Sequence, residues 1–466
     1  MSEAAPGSTR QPITPHRTCA ILAIGDELVI GQKLDSNSQW LSGQLLSRGI
    51  RPIEHATVDD DENAITQALI RLGGRADLVL VSGGLGPTAD DLTRTALARA
   101  MDDELVRDEE ALSQIRGWYE SRGRTMPPAN AVQADRPSRA WCMSNDRGTA
   151  PGLGGTVARQ VGAVSCDSFV DVYCLPGPPH ELKAMFERHV VPRLRPPADS
   201  VILTRVIQSF GLGESDVAGL LGPLMARDRV PVVGTTASVG VVSVRIRHEA
   251  PGTPERGRTM LDETEALVRE RLGGAVFGVG EDLTLETCVI ERLRAHNARL
   301  AVVESCTGGM LGQILTSVPG SSDVFLGGWI TYTNELKHSQ VGVPSEVFEP
   351  SAGTETSAPG AVSEQCVRAM ASGGLERADA DFALSISGIA GPGGETPGKP
   401  VGTVWIGLAS RHIRRPFEQA ARTEARGFLF RGGREQIRLW AARSALGMLR
   451  LRLDGIEMRL LGESEA

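Results

Sequence analysis

Six short stretches of this 466-residue chain combine residue types able to do chemistry. The most chemical is Glu304-Ser305-Cys306-Thr307-Gly308-Gly309, set between a strand-like run and a helix-like run. A serine at a strand-to-helix turn, backed by glycines, is placed as a nucleophile with backbone donors nearby for an oxyanion. Downstream stands Tyr332-Thr333-Asn334-Glu335-Leu336-Lys337. A desolvated lysine, or a tyrosine beside it, can take the serine's proton without help from histidine. Cys306 is the rival nucleophile, because a thiol at a helix N-terminus is more easily ionised. The purely structural reading of Ser305 is a helix N-cap. Ser385 to Gly394, followed by Lys399-Pro400-Val401-Gly402-Thr403, reads as a Gly-rich binding loop between two strands. Gly432-Gly433-Arg434-Glu435 opens the last helix, where Arg434 can hold a phosphate bidentately.

The other three stretches lie in the first half. Gly25-Asp26-Glu27-Leu28 and Ser82 to Asp91 (SGGLGPTADD) each end an apolar strand. Open parallel sheets bind ligands at strand C-termini, and glycines let the backbone approach a phosphate closely. Asp26, Glu27, Asp90 and Asp91 can hold Mg²⁺ against a diphosphate. Asp90 and Asp91 also read as acids that offset a helix dipole. Leu175 to Lys183 (LPGPPHELK) is a rigid turn into a helix. It either presents His180 and Glu181 to the same cleft or is a stiff turn with solvated charges.

These residues need elements to hold them. Cys19 to Gly25 and Asp77 to Ser82 read as buried parallel strands, and Ser38 to Arg48 and Glu62 to Leu72 as helices with one apolar face. Alternation of strand and helix at this spacing predicts an α/β unit. After the Pro/Arg-rich joint at 192–199, strands over Val201 to Phe210 and Val239 to Ile246 and helices over Gly213 to Leu224 and Glu263 to Leu272 predict a small α+β module. A further α/β unit follows. Its strands are Arg299 to Glu304, Val324 to Thr331, Asp381 to Ser387 and Val401 to Ala409. It ends in an amphipathic helix over Gly433 to Arg452, whose later arginines are expected on a solvated face.

Composition narrows the class. Lys+Arg is 49 and Asp+Glu is 57, for a net charge of −8, which argues against a dedicated nucleic-acid binder. Only four of the cations are lysines: Lys33, Lys183, Lys337 and Lys399. Seven cysteines without a CxxC pair read as free thiols of a reducing cytoplasm. No apolar run reaches about 18 residues, so no membrane span is expected. Met1 to Arg17 lacks the apolar stretch of a signal peptide and is expected to be a disordered tail.

In this order, GDELVIGQ, SGGLGPTADDLTR, LPGPPHELKAMF, ESCTGG, ITYTNELK and SISGIAGPGG…KPVGTVW resemble the CinA (competence/damage-inducible) family over residues 18 to 455. The resemblance implies an MoCF-like three-layer α/β/α domain over 18–195, a small α+β KH-type module over 200–275, and a PncC-type α/β deamidase domain over 283–455. Residues 1–17 and 456–466 are left as tails. The implied activities are hydrolysis of the carboxamide of nicotinamide mononucleotide (NMN) to nicotinate mononucleotide and ammonia, and metal-dependent hydrolysis of ADP-ribose-type dinucleotides. Carried over by motif, Ser305 is the nucleophile and Tyr332 and Lys337 are its activating partners. Thr307, Gly308, Gly309, Ser322 (in GSSDVF), Ser387, Gly388 and Arg434 are implied to bind substrate, with backbone N–H groups near Gly308 receiving the oxyanion.

Asp26, Gly83, Gly84, Gly86, Thr88, Asp90, Asp91 and Glu181 are implied to face the dinucleotide, with Asp26 and Asp91 on a divalent metal. The deamidase half is expected to need no cofactor. A cytoplasmic homodimer with small-molecule nucleotides as partners, and neither membrane nor nucleic acid, is the corresponding expectation. Three departures from the family pattern stand out: Gly433 where Asp precedes the last Arg, Ser82 where Thr is common, and a polar insertion over 346–359. The alternative from another class is a nucleotide- or pterin-binding regulatory protein with a weak or inactive deamidase site.

Overall fold

The computed structural model describes residues 14–161, 164–198, 200–251, 253–349, 357–411 and 422–464. It forms two units: Met1–Leu203 with Glu249–Arg258, and Thr204–His248 with Thr259–Ala466. No helix among the described residues is long and apolar enough to cross a membrane.

In the first unit, β1 (Thr18–Ile24) and β3 (Leu78–Ser82) are apolar on both faces and therefore central. With β2 (Arg51–Val58), β6 (Trp141–Met143), β7 (Gly152–Val161) and β8 (Val164–Leu175) they form a sheet ordered β2-β1-β3-β8-β7-β6. Its first four strands are parallel. Two short strands, β4 (Leu105–Arg107) and β5 (Asp135–Pro137), pair antiparallel beside it. Successive side chains of β1 enter opposite cores. Ala20, Leu22 and Ile24 meet Ile65, Leu69 and Leu72 on one face, while Cys19 and Ile21 meet Leu41, Leu45 and Phe186 on the other. That alternation makes the three layers.

The helices of this unit are α1 (Asp26–Val29), α2 (Ser36–Leu46), α3 (Glu62–Gly73), α4 (Thr93–Ala100), α5 (Glu109–Glu120) and α6 (Pro179–Met185). Asp35 and Asp61 cap α2 and α3 by accepting from Ser38 N–H and Ala64 N–H.

Residues 1–13 of the expected N-terminal tail lie outside the described residues. Its last part is packed, contrary to expectation. His16 is fully buried, with Nε2 3.1 Å from Asp171 Oδ2, and Arg195 Nη1 donates to the same oxygen at 2.7 Å. Burial alone would raise the Asp171 pKa, but the hydrogen bonds from His16 and Arg195 outweigh it and hold the carboxyl below its ordinary value.

The second unit starts with β9 (Ser200–Phe210), β10 (Val232–Ser238), β11 (Val241–Pro251) and β12 (Val276–Val279), in the order β10-β11-β9-β12, with α7 (Glu214–Leu221) and α8 (Pro254–Leu272). The expected strand over 239–246 is half of a hairpin, and the helix expected from Glu263 begins at Pro254. Next comes a five-stranded sheet of β13 (Leu300–Glu304), β14 (Phe325–Ile330), β15 (Phe382–Gly388), β16 (Thr403–Ser410) and β17 (Arg422–Leu429). Its order is β14-β13-β15-β16-β17, with β13 parallel to both neighbours. The helices here are α9 (Leu285–Ala295), α10 (Met310–Thr316), α11 (Asn334–Val341), α12 (Glu364–Arg377) and α13 (Arg434–Asp454).

Phe210 and Phe277 of the small module share one core with Leu446 and Leu449 of α13. As a result α13 is buried nearly all round from Ala441 to Leu453, not amphipathic as expected. Its arginines are not a solvated face. Arg450 is fully buried and donates to Gly274 O at 2.6 Å, and Arg443 donates to Val239 O at 2.9 Å.

The expected tail from 456 is packed where it is described. Leu460 is buried, and Leu429 N–H donates to Gly462 O at 2.9 Å. Within the polar insertion, 350–356 lie outside the described residues. Ser345–Val347 is a 3₁₀ turn, and residues after the gap reach the site described next.

Candidate active sites

The parallel strands β13, β14 and β15 deliver their C-termini to one place, and a cavity of about 270 Å³ opens there. Ser305, Cys306, Tyr332, Lys337, Ser387, Gly388, the glycines 391, 393 and 394, and Arg434 line it. Ser305 Oγ and Lys337 Nζ lie 3.0 Å apart. Lys337 is 1% exposed, and its Nζ also donates to Thr331 O at 2.9 Å. Burial pushes the Lys337 amine below the ordinary lysine value. The thiols that face it are themselves held protonated, since burial raises Cys306 to about 12 and Cys366 to about 11. That removes Cys306 as rival nucleophile, because the reactive species is the thiolate. The N-cap of α10 is Gly309, so Ser305 is not a capping residue.

Several expected roles change. Tyr332 does not bond Ser305. It is 56% exposed, and Arg434 Nη2 donates to its hydroxyl at 3.0 Å. Arg434 Nη1 donates to Gly391 O at 2.6 Å, so the guanidinium ties the Gly-rich loop to the tyrosine at the cavity mouth. Gly433, which stands where Asp was expected, donates its N–H to Gln436 Oε1 at 3.2 Å. The amides near Gly308 are not free for an oxyanion. Gly308 N–H donates to Ser305 O, and Gly309 N–H to the Glu304 carboxylate.

Among the described residues, the amide of Cys306, which lines the cavity, finds no backbone acceptor. Thr307 is fully buried behind the cavity wall, and Arg438 donates to its carbonyl. Ser322 is not at the site. It precedes β14, at the opposite end of a strand whose C-terminus faces the cavity. Ser387 lines the cavity, but its hydroxyl donates to Ala361 O at 2.6 Å and holds the wall that follows the insertion. Lys399 holds the same wall through Pro359 O at 2.7 Å.

In the first unit, the ends of β1, β3 and β8 converge on a cavity of about 380 Å³. Gly83, Gly84, Gly86, Asp90, Asp91 and Glu181 line it as expected, joined by Glu27 and Asp60. No Lys, Arg or His is among its lining. Asn145 Nδ2 donates to Glu181 Oε2 at 2.6 Å and fixes that carboxylate. Burial raises the Asp60 pKa, and the charges of Asp26, Asp90 and Glu27 add to it.

Both oxygens of Asp91 are engaged by the loop itself. Oδ1 accepts Gly86 N–H at 2.6 Å, and Oδ2 accepts both Thr88 N–H and the Thr88 hydroxyl. Asp26 does not line the cavity; it exchanges hydrogen bonds with Asp60, Asp26 N–H to Asp60 Oδ2 at 3.0 Å and Asp60 N–H to Asp26 Oδ1 at 3.2 Å. Thr88 also lies off the lining and serves the Asp91 staple. Arg94, 4% exposed, supports the loop from beneath through the carbonyls of Leu85 and Gly86. Among the described residues no three His, Cys, Asp or Glu side chains stand close enough to hold a metal by themselves.

Three family models match the chain: CinA C-terminal domain at 282–453, the "Probable molybdopterin binding domain" at 20–196, and the damage-inducible protein CinA KH domain at 204–278. A protein of Symbiobacterium thermophilum that carries the name competence-damage inducible protein is 40% identical over 438 residues, 93% of this chain and 98% of its own. The chain belongs to the CinA family. A CinA-like protein of Dictyoglomus thermophilum is 36% identical over 93% of this chain and 98% of its own. A crystal structure of the protein CinA from Thermoplasma acidophilum is 29% identical and covers 38% of this chain and 98% of its own, with a TM-score of 0.33.

As a CinA-type chain it joins a MoCF-like domain, a KH module and a CinA C-terminal domain in an α/β architecture. Residue reasoning missed Asp60, Asn145, Thr331 and the support from Arg94. Asp60 had a usable signal, since it follows the C-terminus of a strand next to β1.

Proposed function

We propose that the C-terminal part is a Ser–Lys amidohydrolase acting on the carboxamide of NMN. The 3.0 Å approach of the buried Lys337 amine to Ser305 carries the reading, with burial holding that amine below the ordinary lysine value. Ser305 Oγ attacks the carboxamide carbon while the Lys337 amine takes its proton. The oxyanion is received by the Cys306 amide at the cavity lining. The C–N bond breaks as the Lys337 ammonium protonates the departing nitrogen, which releases ammonia and leaves an ester on Ser305. Water then attacks the ester, Lys337 takes one of its protons and returns it to Ser305 as the carboxylic acid leaves, and the acid ionises in solvent. Arg434 and the glycines 391, 393 and 394 receive the substrate's phosphate at the cavity mouth, where a guanidinium and close backbone suit an anion. The test is ammonia release from NMN by the full chain. Stoichiometric ammonia and nicotinate mononucleotide are expected, and no release would overturn the assignment.

A second activity is favoured by the lining of the other cavity. Glycine backbone suited to a diphosphate faces carboxylates with no side-chain cation among them, so a bound diphosphate needs a cation of its own. The all-oxygen donor set fits a divalent ion such as Mg²⁺; since no three of these side chains converge, it would be held by one or two of Asp60, Asp90, Glu27 and Glu181 together with ligand phosphates. When bound, such an ion neutralises phosphate charge and polarises the P–O bond. Gly83, Gly84 and Gly86 bring backbone against the ligand, and Asp91 and Arg94 keep that loop in shape. The ligand class is an ADP-ribose-type dinucleotide, hydrolysed at its pyrophosphate.

A further inference from the structure

Glu304 ends the strand that delivers Ser305, and the amidase chemistry above gives it no task. It is 1% exposed, and both carboxylate oxygens accept hydrogen bonds. Oε2 accepts Gly309 N–H and Leu311 N–H, each at 3.0 Å, and Oε1 accepts Gly312 N–H at 2.8 Å. A carboxylate withdrawn from water persists when hydrogen bonds replace its hydration, and three amides at the start of α10 do so. The positive φ of Gly308 (+57°) and Gly309 (+93°) lets the chain curl back until these amides meet the carboxylate. The main chain of Glu304 reaches the other partner. Its carbonyl accepts Thr331 N–H at 2.8 Å, and the Thr331 carbonyl accepts Lys337 Nζ at 2.9 Å. One residue therefore fastens the turn behind the nucleophile by its side chain and the anchor of the base by its backbone.

We propose that Glu304 is a positioning residue for the Ser305–Lys337 pair. Its carboxylate fixes the turn so that Ser305 Oγ faces the lysine. By engaging Gly309, Leu311 and Gly312, it holds the start of α10 in place next to Cys306 at the cavity lining. The inference rests on the Ser–Lys reading of the site.

Glu304→Gln keeps the shape but sets an NH₂ group against amide donors, and Glu304→Asp keeps the charge but withdraws it by one methylene. Each should misplace the serine without touching the substrate. The probe is a small fluorophosphonate, which reports serine nucleophilicity whatever the natural amide, applied to the full chain alongside NMN turnover. Wild type should be labelled at Ser305 and Ser305→Ala should not. Both Glu304 variants should label about 10- to 100-fold more slowly and lose kcat on NMN by a similar factor, with KM within about threefold of wild type. Both should keep a single cooperative thermal unfolding transition.

An unlabelled Ser305 in wild type defeats the nucleophile reading itself. A labelled wild type with either folded variant labelling at the wild-type rate, or with the loss in KM instead of kcat, overturns the role of Glu304 alone. Loss of cooperative unfolding in both variants assigns Glu304 to the fold and overturns it too.

Discussion

A lysine sealed from water beside a serine hydroxyl gives up its proton more readily than an exposed one, which suits it to accept the serine's proton. Burial is the main cause of the lowered Lys337 pKa, so the sign of its pH dependence is fixed. Activity is full above the pKa of the buried amine and falls as pH drops through it. The acid limb of kcat/KM should therefore lie below the ordinary lysine value of about 10.4, with unit slope. Lys337→Arg keeps the charge and removes the proton acceptor, and should cost about 10²- to 10⁴-fold. A variant within tenfold of wild type would contradict the assignment.

The motif reading singled out both members of the Ser305–Lys337 pair. It could not choose between Lys337 and Tyr332, because that choice depends on what is buried. Lys337 is enclosed, whereas Tyr332 stands at the mouth against Arg434. Nor could it foresee that Asp91 spends its carboxylate on its own loop.

The elements that carry the sites were legible where strands are apolar on both faces. β1, β3, β13 and β15 read as continuous hydrophobic runs because layers cover both sides of each sheet. β2, Arg-Pro-Ile-Glu-His-Ala-Thr-Val, has no fully buried position, and without it Asp60 has no strand end to sit on. α13 misled for the opposite reason, since a second module covers the side that the pattern assigned to solvent.

The loop after β3 offers a test of the first cavity. Gly83 has φ +108°, and a Cβ there would sit 2.4 Å from Ile24 O, the backbone that ends β1. Gly83→Ala should lower stability by about 1–3 kcal/mol and abolish ADP-ribose hydrolysis. Ammonia release should be kept. Thermal unfolding and the two assays in parallel check it, and full dinucleotide activity in the variant would show that the loop geometry is dispensable.

Among the described residues, two of the cavities, one in each unit, are lined by different chemistry. One is lined by carboxylates and glycine backbone, the other is built on a buried lysine, a serine and an arginine. Their requirements should separate. A chelator should abolish dinucleotide hydrolysis, restored by added divalent ion, while NMN deamidation continues. Deamidation that stops on chelation would place a metal in the Ser–Lys chemistry. The central claim is that Ser305 is the nucleophile, and ammonia release from NMN by Ser305→Ala against wild type measures it most directly. A fall of about 10³-fold or more, with an unchanged unfolding transition, is expected. Activity within tenfold of wild type would contradict it.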